Sequence, residues 1–319
     1  MGMECRQCIK KLVRNEKLDL KKKNLDLVRV KSHFTCVRVR SIDLSCNKLE
    51  KCISFPNIHE INLNNNCIKE IDDLLFMGDL RVLLADNNRI ESIEMIGYLS
   101  KLRTLSLAFN PLRSICPSII DCIHLQFLDL SHCFLDKVPC IESILSLQSL
   151  DLSYNRLTNL NLDQLHNLKT LKLQHNELDS IGTDLNSLDV EFVDLSENNL
   201  WQVPNFDFSK LKYLDISENN ICILPEDLVR ASTVVLLRGN PFIPKKIKEV
   251  KLFSLKEISA RSILNSGMTH FQHIERQVCP ICDKLFSEEF YNSVCQTKYK
   301  GYDVMKSIRV CSSQCKNKE

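Results

Sequence analysis

Four cysteines toward the end of this 319-residue chain have the spacing of a metal site. Cys279-Pro-Ile-Cys282 and Cys311-Ser-Ser-Gln-Cys315 supply two close thiol pairs separated by 28 residues. Four thiolates complete the tetrahedral shell of one structural zinc ion and leave no open position for catalysis. Cys295, His270 and His273 are alternates for a member of the looser second pair. Two other readings stay open. A redox dithiol needs a βαβ context that this stretch lacks. The cysteines could also simply be buried as small apolar residues. The N-terminal Cys5-x-x-Cys8 has no second pair nearby and reads as part of a cap. No nucleophile–base constellation stands out elsewhere, so the chain is read as a non-enzyme.

The elements that would hold such a tail are announced by a repeat. From Val39 to Phe242 the pattern L-x-x-L-x-L-x-x-N-x-L recurs ten times at intervals of 19 to 23 residues. Leu147-x-x-Leu150-x-Leu152-x-x-Asn155-x-Leu157 and Leu168-x-x-Leu171-x-Leu173-x-x-Asn176-x-Leu178 are clean copies. This is the leucine-rich repeat signature, and it predicts an α/β-type solenoid in which each repeat buries its leucines against its neighbours. The turn position is occupied by Asn47, Asn66, Asn88, Asn110, Cys133, Asn155, Asn176, Asn198, Asn219 and Asn240. An asparagine amide carries donors and an acceptor on a short arm, so it can pair backbone groups that a tight turn leaves open. A degenerate copy, Leu18-x-Leu20-x-x-Lys23-x-Leu25, precedes the first good one and reads as the N-terminal cap. Val138-Pro139, Val203-Pro204 and Leu224-Pro225 suit extended or irregular backbone on the convex side, with few long helices.

Strand side chains alternate, so the residues between the leucines line a concave face. Its central row reads Asp43, Asn62, Leu84, Ser106, Asp129, Asp151, Lys172, Asp194, Asp215 and Leu236. One step earlier, Phe192 and Tyr213 stand beside Asp194 and Asp215 as aromatics expected to be exposed. Two readings apply: aspartates that merely hydrate the face, or a protein-binding patch, since aromatics beside charges serve as interface anchors.

Charge is balanced, 42 Lys plus Arg against 40 Asp plus Glu, which argues against bulk nucleic-acid binding. The local excess at Lys10, Lys11, Arg14, Lys17, Lys21, Lys22 and Lys23 reads as a solvated cap face, the alternative being a nucleic-acid or lipid patch. Met1–Val13 is polar and basic without the apolar stretch of a signal peptide, and no segment has the roughly 18 apolar residues of a membrane span. The 16 cysteines are scattered at positions such as Cys46, Cys67, Cys133 and Cys222. Together these features predict a cytoplasmic protein, with the nucleus a second compartment, in which most cysteines stay reduced and buried.

After Leu237-Arg238-Gly239-Asn240-Pro241-Phe242 the composition changes. Ser254–Leu264 reads as an amphipathic helix, with Ser254 as N-cap, Glu257 completing a capping box and Gly267 ending it. On its own this segment would be a capping helix that seals the last repeat. Repeats, terminator, helix and cysteine-pair tail together resemble the leucine-rich repeat substrate receptors of cullin–RING ubiquitin ligases. The resemblance runs from the repeats to the C-terminus, and its specific part is Ser254 to Cys315. It implies that the helix is an elongin-binding BC box: Ser254 opens it, Leu255 enters the elongin C pocket, Ser259 stands at the Cys position and Ile263 closes it. No proline-containing cullin-selecting stretch is recognisable in Asn265–Val278.

The expected layout is a cap with a degenerate repeat at 1–36, repeats at 37–245, a BC-box-like helical segment at 246–278 and a zinc-ribbon-like tail at 279–319. The expected function is a target-recruiting adaptor for an elongin BC–cullin ligase. The alternative is a non-catalytic scaffold or regulatory subunit.

Overall fold

The computed structural model describes residues 13–14, 16–25 and 39–241, apart from 53, 56, 182–184, 226, 229–230 and 232. It adds the backbone of 291–299 and 302–310. Each leucine motif contributes one three-residue strand: Lys17–Asp19 (β2), Ser41–Asp43 (β3), Glu60–Asn62 (β4), Val82–Leu84 (β5), Thr104–Ser106 (β6), Phe127–Asp129 (β7), Ser149–Asp151 (β8), Thr170–Lys172 (β9), Phe192–Asp194 (β10), Tyr213–Asp215 (β11) and Val234–Leu236 (β12). These eleven strands pair in chain order and in parallel, so the sheet grows by one strand per repeat. The degenerate copy at Leu18 supplies the first of them, in register with Ile42 of the next.

Both edges of the parallel sheet carry antiparallel strands. Val13–Arg14 (β1) pairs with β2 at one end. At the other, Tyr302–Val310 (β14) meets β12 at Leu236↔Val304 and pairs along its length with Tyr291–Tyr299 (β13). Such pairing occupies backbone groups that an open edge would offer to another chain. The expected Ser254–Leu264 helix and the thiols of Cys279, Cys282, Cys311 and Cys315 lie outside the described residues.

The middle residue of each strand points inward, and Leu83, Leu105, Leu150, Leu171 and Leu214 are fully buried. One continuous apolar core runs from Leu18 to Leu237. A buried aliphatic side chain is worth about 1.5–3 kcal/mol, and here each one is covered by the repeats on either side.

The α/β-type expectation needs correction on the convex side. The chain there is extended or folded into 3-10 helices, at Asp72–Phe76, Ile96–Tyr98, Pro117–Asp121 and Ile141–Ser143. Only Asp227–Leu228 has α-helical backbone among the described convex residues. Repeats this short leave too few convex residues for a full α-helix. The 3-10 turn suffices to return the chain, and the amide of Leu102, Leu125, Leu147 or Leu168 closes it onto the carbonyl three residues back.

The asparagines meet their expected role in detail. Asn155 Nδ2 donates to the carbonyls of Leu130 (2.8 Å) and Leu152 (3.0 Å), while its Oδ1 accepts from the Leu135 amide at 3.0 Å. Each asparagine therefore ties its own turn to the previous repeat. Cys133 makes a thinner set, its thiol reaching the carbonyls of Leu107 and Ser131 at 3.5 and 3.6 Å.

Candidate functional site

The register of β10 and β11 places Phe192 opposite Tyr213 and Asp194 opposite Asp215, so the four residues singled out on the concave face form one patch. Parallel pairing without slippage makes this unavoidable, because residues at equivalent repeat positions become lateral neighbours about 4.8 Å apart.

The aromatics are less exposed than the sequence pattern suggests. Phe192 and Tyr213 are half-buried, and Asp215 is buried. Lys212 Nζ lies 5.8 Å from the centre of the Phe192 ring, and the Tyr213 hydroxyl donates to Asp215 Oδ2 at 3.3 Å. Phe127 in β7, in the same row, is the more exposed aromatic, with 46% of its surface open.

The aspartates are also partly committed to the fold. Ser196 donates to Asp194 Oδ1 through its amide (3.0 Å) and its hydroxyl (2.7 Å). Ser217 does the same for Asp215, at 2.9 and 2.5 Å, and the Asp129–Ser131 and Asp151–Ser153 pairs repeat the arrangement. One carboxylate oxygen thus closes the bend that follows the strand. Lys172 adds an ion pair to Asp151 Oδ2 at 3.1 Å. Burial pushes the Asp194 carboxyl up to about 6, against the serine bonds that favour its charged form. Burial likewise raises Asp215 and Asp129. These carboxylates sit where water is already thin.

A second row escaped the sequence reading. The residue before each ladder position has positive φ in all ten repeats: Cys46, Asn65, Asn87, Phe109, His132, Tyr154, His175, Glu197, Glu218 and finally Gly239. The left-handed turn aims these side chains sideways along the sheet edge. Asn87 Nδ2 donates to Asn65 Oδ1 at 2.7 Å. Phe109, His132 and Tyr154 then stack, with ring centres 4.0 Å apart at each step and planes 10° apart. His175 continues the stack at 4.8 Å, tilted by 36°, and its Nδ1 lies 3.0 Å from Glu197 Oε2. Glu218 pairs with Arg238 at 3.4 Å. The column of residue types was visible in the sequence, but the backbone conformation that turns it into a wall was not.

Of eight described cysteines, Cys52, Cys122 and Cys133 are buried, whereas Cys46, Cys67, Cys116, Cys140 and Cys222 are only half-buried. The expectation that most cysteines are buried therefore holds for a minority of them. Burial pushes the Cys122 thiol up to about 12 and that of Cys133 to about 11, so both stay protonated and unreactive. No cluster of three or more His, Cys, Asp or Glu side chains among the described residues could hold a metal ion. The proposed zinc thiolates and the BC-box positions Ser254, Leu255, Ser259 and Ile263 lie outside the described residues. No helix among the described residues is long and apolar enough to cross a membrane.

The family model described as Leucine Rich Repeat matches residues 146–168 and 210–230. The chain is 27% identical over 237 residues to adenylate cyclase of Schizosaccharomyces pombe, covering 62% of this chain and 14% of that protein. It is 31% identical over 157 residues to lumican of Bos taurus, covering 47% of this chain and 40% of lumican. The chain thus spans less than half the length of these relatives. Among solved structures, the functional domain of InlJ from Listeria monocytogenes, said to include a cysteine ladder, superposes with a TM-score of 0.55 at 17% identity over 76% of this chain and 56% of that one. The superposition shows a shared fold and no more. With a sheet that adds one parallel strand per leucine motif, and a turn asparagine bound to the repeat before it, the chain has the leucine-rich repeat solenoid fold.

Proposed function

We propose that this protein is a non-catalytic adaptor that holds a target protein on its concave face. The observation that carries the proposal is the patch at Phe192, Asp194, Tyr213 and Asp215. Partly desolvated aromatics and carboxylates lie together on an extended sheet, and groups already stripped of water lose less on contact with a partner. Eleven strands at about 4.8 Å spacing extend nearly 50 Å, enough for a folded domain.

The finer part of the proposal concerns what the target is brought to. The Ser254–Leu264 segment recruits elongins B and C, with Leu255 as the anchoring side chain, and a cullin ubiquitin ligase then acts on the target in the cytoplasm or nucleus. The protein contributes proximity, raising the local concentration of target at the ligase. Cys279, Cys282, Cys311 and Cys315 hold one structural zinc ion that orders the tail beyond the repeats. What supports this reading is the order of repeat array, helix motif and cysteine pairs along the chain.

Co-expression with elongins B and C tests it. Co-purification that is lost in Leu255→Asp is the expected result; failure of the intact chain to co-purify removes the ligase part and leaves a plain scaffold. Elemental analysis checks the tail: one zinc per chain is expected, with none after Cys279→Ser and Cys282→Ser together.

A further inference from the structure

The second outward row runs beside a groove that the concave-face reading does not use. Its floor is the turn ladder of Cys133, Asn155, Asn176 and Asn198. One wall is the stack Phe109–His132–Tyr154–His175, continued by Glu197 and Glu218. The facing wall is the row two residues further along each repeat, where Phe134, Arg156 and Glu177 stand in succession.

The two ends of this groove differ in chemistry. At the Phe109 end both walls are aromatic, with Phe109 54% and Phe134 48% exposed, and Arg156 caps the Phe134 ring at 5.4 Å. At the other end three carboxylates gather: Glu177, Glu197 and Glu218. Glu177 makes no ion pair among the described residues, and the partners of the other two, His175 and Arg238, leave their carboxylates about half exposed. Ring faces within the stack are covered by their neighbours, and His132, Tyr154 and His175 line the groove with side chains that are both apolar and polar. Those groups suit backbone carbonyls and apolar side chains. Six repeats at about 4.8 Å extend roughly 24 Å, the reach of about seven residues of extended chain.

We propose that this groove is a second binding site, for an extended segment of a partner protein that carries an aromatic or other large apolar residue at one end and an arginine or lysine at the other. The apolar side chain packs against Phe109 and Phe134. The cation takes the carboxylates of Glu177 and Glu197. Charge complementarity sets the direction of the segment, because Arg156 disfavours a cation at the aromatic end. The site is separate from the Phe192–Asp215 patch and does not depend on the ligase reading.

The test uses the full chain and a phage-displayed library of random dodecapeptides. Selected peptides are expected to place an aromatic residue a fixed distance from arginine or lysine. Their affinity is expected to fall about three- to tenfold in the double variant Glu177→Gln/Glu197→Gln, since charge pairs at exposed carboxylates are individually weak. Both glutamates are exposed, so this variant keeps the fold, checked by an unchanged unfolding midpoint. Phe109→Ser is expected to weaken the same peptides independently of salt, whereas the loss in the double glutamine variant shrinks at high salt. No enrichment above background would overturn the proposal. So would peptides that bind the double variant as tightly as the parent, or peptides that lose affinity in Asp194→Asn instead, which would place them on the concave patch.

Discussion

The inward and outward rows of this solenoid obey different rules. The inward positions barely change from repeat to repeat: Leu150, Leu152, Leu157, Leu171, Leu173 and Leu178 are all fully buried, and the turn ladder keeps asparagine in nine of ten places. The outward row at the left-handed turn changes along the array, from Asn65 and Asn87 through four stacked rings to Glu197 and Glu218. The difference teaches where information about a partner is stored. Positions answerable to packing repeat because every repeat poses the same packing problem. Positions answerable only to solvent or a ligand are free to diverge.

The comparison can be broken most forcefully from the inside. Leu150→Ala is expected to cost about 2–5 kcal/mol in urea unfolding, because the cavity it leaves is walled by the repeats on both sides. A loss under about 1 kcal/mol would mean that the stack relaxes and that inward positions are less constrained than their uniformity implies. Asn155→Ala comes next, at about 2–3 kcal/mol. It strands the Leu130 carbonyl and the Leu135 amide, and leaves the Leu152 carbonyl with the bond from Asn176 alone.

Asp194 tests the outward rows. Its carboxyl is held at about 6 in the folded chain against roughly 3.9 when unfolded. A raised folded value means that the folded state holds the proton more tightly, so this stabilisation is complete below about pH 4 and disappears as pH rises through 6. Asp194→Asn keeps an acceptor for Ser196 and cannot ionise. The variant should match the parent at pH 4 and exceed it by about 1–2 kcal/mol at pH 8, read from paired denaturation curves. Equal stability at both pH values would show that the patch is better solvated than its burial implies, which weakens its claim as an interface.

The smallest effect sharpens the one irregularity in the ladder. Cys133 makes two long thiol contacts where asparagine makes shorter bonds. Cys133→Asn is therefore expected to gain about 1 kcal/mol, visible as a higher urea midpoint. A destabilised variant would show instead that the sulfur fits a pocket the amide cannot enter.

Much of this was legible beforehand for a specific reason. Leucine spacing dictates strand, turn and stacking together, so the row assigned from Asp43 to Leu236 falls on the last residue of each observed strand. The degenerate copy at Leu18 was legible too, because even an imperfect motif leaves an inward leucine. The convex side was harder to read. Its 3-10 turns follow from how little chain remains between strands, a geometric remainder and not a pattern. Exposure of single side chains was harder still. Phe192 and Phe127 hold the same repeat position, yet Lys212 crosses one ring while the other stays open.

The sequence by itself determined the repeat, the inward leucines, the asparagine ladder and the strand that each motif adds, because the same residue types recur at the same positions of every copy. Only the tertiary structure decided how the outward side chains settle: the commitment of Asp194 and Asp215 to the serines two residues on, the half-burial of Phe192 and Tyr213, and the ring stack beside the ladder. The physical reason is that left-handed backbone at one position per turn redirects a whole column of side chains. That conformation is imposed by the stack of turns, and the residues Phe109, His132, Tyr154 and His175 do not announce it.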